Sequence, residues 1–210
     1  IYVSPGAMGI FLGALASRAG RSLAAFAACL MLACAVAIMT CCKDGAGPGS
    51  PELPRGREQW LRLMSLLTVV VLRSYGGVIM SFPWKTGAWA WIAALCVVGG
   101  KCIGGFASDR FGEVRSATVT LSAAAAALIF SAFPLPGALG LLLFNMSMPV
   151  TLYAARDILR EGRATAFGLL TLGLFLGMLP AFSGASGSGQ DYAMICLISI
   201  MLIRVGVGKR

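Results

Sequence analysis

Apolar stretches long enough to cross a bilayer recur along this chain with only polar turns between them. A transmembrane helix takes about 20 mostly apolar residues, and about 17 suffice where flanking side chains reach the interface. By that measure eight segments stand out, at residues 5–16, 23–41, 61–82, 87–108, 117–133, 137–155, 166–182 and 192–203. The first is short and opens on Ser4-Pro5, as the remnant of a span truncated upstream would. Only 12% of residues are charged against 58% hydrophobic, about half the charged share of a soluble domain. The expected fold is therefore all-α, a polytopic membrane helix bundle of about eight transmembrane segments.

A net charge of +9 raises the question of nucleic acid, but the basic residues sit in turns between apolar runs and form no continuous face or arm. They serve orientation in a membrane instead, so no nucleic-acid partner is expected and the lipid bilayer is. Residues 43–59 hold three prolines, four glycines and mixed charges with no apolar face to bury, which makes them a linker. With alternating spans, twelve of the 17 basic residues share the side of that linker and of the C-terminus. Only Arg18, Arg21 and Lys85 fall on the other side, and Arg73 and Lys101 lie inside spans. The asymmetry predicts an integral membrane protein with linker and C-terminus in the cytoplasm; the membrane expected is a bacterial inner (plasma) membrane. The chain begins at Ile1 with neither a start methionine nor a signal peptide, and reads as the C-terminal part of a longer protein.

Between the fourth and fifth segments runs Gly105-Phe106-Ala107-Ser108-Asp109-Arg110-Phe111-Gly112-Glu113-Val114-Arg115. This string resembles the G-x-x-x-D-R-x-G-R-K/R loop motif of the major facilitator superfamily of transporters. Gly105, Asp109, Arg110 and Gly112 match; Glu113 stands where the family has a basic residue, and Arg115 lies one position late. The resemblance implies that residues 60–210 are the family's C-terminal six-helix bundle, and that 1–42 are the last two helices of a truncated N-terminal bundle. It implies a fragment of a secondary active transporter moving a small-molecule solute by alternating access, with the missing N-terminal half as partner. It further implies that Asp109 meets the start of the next-to-last helix near Thr165 and Ala166. The run VLRSYGGVIMSFPW is somewhat similar to spans of bacterial drug-efflux members. The alternative is a non-transporting membrane scaffold or a degenerate transporter fragment.

Three residues are candidates for a solute cavity: Arg73, Asn145 and Tyr153. Arg73 lies near the middle of its segment, where a charge costs at least ~2.5 kcal/mol, so it should face water and bind an anionic group or a coupling partner. Lys101 is nearer the cytoplasmic side and within snorkelling reach. Asn145, Pro149 and Tyr153 are spaced four apart on one helix, and Pro149 allows a kink there. All eight acidic residues lie in loops or at helix ends, so a buried carboxylate for proton coupling is not present in these segments. Glycine pairs four apart, Gly9 with Gly13, Gly100 with Gly104 and Gly173 with Gly177, mark faces where helices approach closely.

The seven cysteines lie in or beside apolar runs and read as inert thiols; with no histidine in the chain, a Cys/His metal site is excluded. No cofactor, metal or catalytic residue is expected. The G-x-S-G string at residues 184–187 is like that around the rhomboid protease nucleophile, whose serine is activated by a histidine. Without one, the stretch reads as an extracytoplasmic loop and the chain as no enzyme.

Overall fold

The computed structural model describes residues 56–159, 163–184 and 186–207. The segments expected at 5–16 and 23–41, and most of the linker, lie outside the described residues. Within those residues the regular structure is helical: α1 (Arg57–Ile79), α2 (Ala88–Phe111), α3 (Glu113–Ile129), α4 (Pro134–Met146), α5 (Met148–Ile158), α6 (Arg163–Met178), a 3-10 turn (Leu179–Ser183) and α7 (Gly189–Val207). Four stretches are long and apolar enough to cross a membrane: Arg57–Ile79, Ala88–Phe111, the pair Pro134–Ile158 and Gly189–Val207. Thr165–Met178 is apolar but shorter.

Most of the helices start before their apolar segments because polar residues there are good helix formers or caps, while α1, α3 and α6 end three or four residues short of theirs. Glu58 sits in the first turn of α1, where it complements the helix dipole and pairs with Arg62 one turn on. At α7 the Ser188 amide donates to Asp191 Oδ2 (2.7 Å) and the Asp191 amide reaches back to Ser188 Oγ (3.5 Å), a capping box. That box starts the helix three residues before the apolar run. Pro180 tightens the end of the span expected at 166–182 into the 3-10 turn.

The motif turn is a two-helix corner made by Gly112. Its amide donates to Ser108 O (3.0 Å), closing α2, and its carbonyl accepts from Ser116 N (3.0 Å), opening α3. Gly112 has φ 85 and ψ 148, a region essentially confined to glycine. The motif's second glycine is thus required by the backbone itself.

The expected span at 137–155 is divided at Ser147. Pro149 has no N–H to give the Asn145 carbonyl, and the chain breaks there into α4 and α5. This broken helix is the centre of the bundle: 61% of its membrane-length window is buried against 17% for α2. α4 packs on α2 and α3, and α5 on α1, α2 and α6; α7 packs between α1 and α3. The glycine pairs of α2 and α6 are the packing faces expected of them, and Gly9 with Gly13 lies outside the described residues. A Cβ at Gly100 or Gly104 would collide with the Leu142 or Met146 carbonyl of α4, and one at Gly177 with the Val71 carbonyl of α1. Beyond the C-terminal end of α1, Phe82 stacks on Trp84 (centroids 5.0 Å apart) and meets Tyr192 edge-on. Trp84 Nε1 donates to Ser131 O (2.8 Å), and the Tyr192 hydroxyl to Ile79 O (2.9 Å), so an aromatic plug ties α1, α3 and α7 together at this end.

Candidate functional site

Arg73 projects from α1 into the bundle and is only 8% exposed. Because α1 runs from Arg57 to Ile79, Arg73 is five residues past its own centre, rather than near the middle as the apolar segment suggested. Its depth in the bundle is set by its neighbours. Gly76 lies against Ile195 of α7 and Phe144 of α4 (3.4 Å for a Cβ to each), and Gly206 lies against Leu66. Between those two contacts Arg73 is level with residues 198–199, the middle of α7.

The guanidinium meets the broken helix at its break. Nη1 donates to Ser147 Oγ (2.9 Å), and the carbon of the group stands 5.5 Å from the centroid of the Phe144 ring. Ser147 Oγ in turn donates to the Phe144 carbonyl (3.0 Å). Pro149 leaves the Asn145 carbonyl to the Ser147 amide, the Ser147 hydroxyl caps the Phe144 carbonyl, and that hydroxyl receives the arginine. Asn145, also buried, turns its amide back on the Leu141 carbonyl (2.8 Å) of its own helix and backs onto Gly100. The extension of α2 to Phe111 places Lys101 within two residues of that helix's midpoint, closer than the apolar segment indicated. Its charge is near enough to act on Arg73.

The break at Ser147 puts Asn145 on α4 and leaves Pro149 and Tyr153 together on α5; Asn145 and Pro149 are buried, while Tyr153 is 44% exposed. Sequence spacing passed over Ser147, Phe144 and Ser199. Ser199 on α7 is 0% exposed, and its Oγ has no hydrogen-bond partner among the described residues. A serine in an apolar run gives little sign of such isolation.

The motif residues gather at the other end of α2. Asp109, Arg110 and Arg115 are exposed, Gly105 has open space about it, and the Arg110 guanidinium lies 6.0 Å from the Phe111 ring centroid. Asp109 is exposed, and α2 has no extensive packing against α6, whose start was expected to meet it near Thr165 and Ala166. Glu113, the departure from the motif, lines a cavity of about 190 Å³ with Gln59, Arg62 and Asp157. That cavity lies where the start of α1, the start of α3 and the ends of α5 and α7 converge. No protein-family model, curated protein or solved structure matches this chain.

Proposed function

We propose that this chain is part of a secondary active transporter that moves a small solute by alternating access, in the manner of the major facilitator superfamily. On this reading the spans are α1, α2, α3, the broken pair α4 and α5, α6 and α7, with two more in residues 1–42. The membrane is a bacterial inner membrane with the linker side cytoplasmic, and a second bundle completes the solute path. The observation that carries the reading is the buried Arg73 guanidinium seated on the break of the central helix. A buried charge inside a membrane bundle marks a solute or ion pathway by default, and a helix interrupted at mid-depth is where transporters place their sites. The rhomboid alternative has no base for its serine, and nothing at residues 184–187 argues for hydrolysis.

The test is flux. Full-length protein in proteoliposomes is expected to move at least one member of a solute panel, and Arg73→Lys, which keeps charge but loses the planar fork, to lower that flux at least tenfold with unchanged incorporation. No flux of any solute leaves the scaffold alternative standing; undiminished flux in Arg73→Lys keeps a transporter but takes Arg73 out of its solute path.

A further inference from the structure

The middle of the bundle is rich in positive charge and hydrogen-bond donors, and poor in acceptors. Arg73 and Lys101 lie within five residues of the midpoints of α1 and α2, while the carboxylates of the described residues, Glu58, Asp109, Glu113, Asp157 and Asp191, lie in the first or last turns of their helices. The backbone carbonyls around the helix break each carry a hydrogen bond: Asn145 O from the Ser147 amide, Phe144 O from the Ser147 hydroxyl and Met148 O from Thr151. Of the five N–H groups on a guanidinium, the hydrogen bond found for Arg73 uses one. Ser199 adds a hydroxyl that is fully buried and without a partner.

The register of α7 puts that hydroxyl level with Arg73. Ile195 and Gly206 both touch α1, at Gly76 and Leu66 respectively. Ser199 follows Ile195 by four residues, on the same helical stripe and one turn nearer Leu66. Arg73 is three residues from Gly76 in the same direction. The hydroxyl and the guanidinium are therefore level on facing sides of the α1 and α7 contact, with Ser147 completing the ring from the central helix.

We propose that Arg73, Ser147 and Ser199 hold one anionic oxygen group of the solute, and that the bond from Arg73 to Ser147 is the one this anion displaces. The inference rests on the transporter reading and names the chemical class of its substrate. The Phe144 ring lies beside the guanidinium without taking any of its N–H groups, and a carboxylate or phosphate group can accept from two of them in bidentate fashion. Ser199 supplies a third donor from the opposite helix. When Ser147 turns its O–H from the Phe144 carbonyl to the anion, the bond that fixes the turn between α4 and α5 is lost. Binding is thereby coupled to the hinge of the central helix.

The experiment follows thermal unfolding of the purified full chain by circular dichroism, titrating benzoate or inorganic phosphate at an ionic strength held constant with chloride. Wild type is expected to show a saturable rise in midpoint with at least one of the two. Arg73→Gln is expected to lose the response. Arg73→Lys, which keeps the charge should the Gln variant fail to fold, is expected to weaken it. Ser199→Ala should need about tenfold more anion, the worth of a hydrogen bond to a charged group, although its unliganded midpoint is equal or higher. A structural role for Ser199 predicts no change in anion response, and that result overturns the site. So does a wild type that responds to neither anion. If nanodiscs containing phosphatidylglycerol raise the midpoint through Arg73 while soluble anions do not, the ligand is a lipid headgroup and the solute site is overturned. An anion response without flux of the anion removes the transporter reading and keeps the site; flux indifferent to Arg73 and Ser199 does the reverse.

Discussion

Arg73 takes a charge into the apolar middle of the bundle with one hydroxyl and the face of one phenyl ring for company. At mid-membrane such a charge costs ~2.5 kcal/mol or more. The hydrogen bond to Ser147 returns about 1 kcal/mol and the contact with Phe144 about 0.5–1 kcal/mol. Replacing Arg73 with Met leaves Ser147 still donating to the Phe144 carbonyl, so no orphan group is created. Arg73→Met is accordingly expected to stabilise the protein by ~0.5–1 kcal/mol, a rise of a few degrees in midpoint, while abolishing flux. A fall in midpoint on thermal unfolding would make Arg73 a strut of the bundle instead. The charge was legible in the sequence because a single Arg interrupts an apolar run. Ser199 was not, because a lone serine in a membrane segment usually satisfies itself on its own helix, and only burial and register reveal that this one does not.

At the scale of elements, the sequence showed where the chain is apolar, and the ends of the helices were decided by something else. The capping box of Ser188 and Asp191, and the α1 pair of Glu58 and Arg62, are polar devices that lengthen helices beyond their apolar runs. The kink near Pro149 was legible from the missing N–H, but the exposure of Tyr153 was not, since spacing gives a face and not what covers it. Glycine spacing was the most informative local signal. Gly104 is in contact with the backbone of Met146, where nothing can give way, whereas Gly105 beside it has nothing within 4 Å. Gly104→Val is therefore expected to force α2 from α4, costing ~3 kcal/mol or more through overpacking, and to reduce the folded yield in detergent. Gly105→Ala is expected to leave stability within ~0.5 kcal/mol of wild type. Comparing size-exclusion profiles and unfolding midpoints of the two variants checks both; equal behaviour would mean that α2 and α4 are not packed as closely as they are here. If Gly105→Ala loses flux at full stability, the motif glycine serves a contact outside the described residues.

For the molecule as a whole, the packing fixes which helix ends lie together, and the charge pattern then orients that set. The cavity lined by Arg62, Glu113, Asp157 and Val207 brings together the start of α1, the start of α3 and the ends of α5 and α7. Arg57, Arg62, Arg115, Arg156 and Arg204 all fall near those ends. The aromatic plug of Phe82, Trp84 and Tyr192 marks the opposite end, where Lys85 is the basic residue of the α1 to α2 loop. Exposed Ser186 belongs to that end too, because its neighbour Gly187 donates to the Ile79 carbonyl (3.2 Å). Basic residues are retained on the cytoplasmic side of short loops, so Ser186 is expected outside the cell, with Ser50 of the linker and Lys209 inside. Single cysteines placed at these positions in a background without the native seven, probed with an impermeant thiol reagent on intact cells, should react at 186 and stay protected at 50 and 209 until the cells are opened. The two ends of α1 make the experiment decisive. An apolar helix of 23 residues spans about 34 Å at 1.5 Å per residue, enough to cross the hydrocarbon core of about 30 Å. Labelling at both 50 and 186 in intact cells would mean that this helix does not cross; labelling at 50 with protection at 186 would invert the molecule and place its basic end outside.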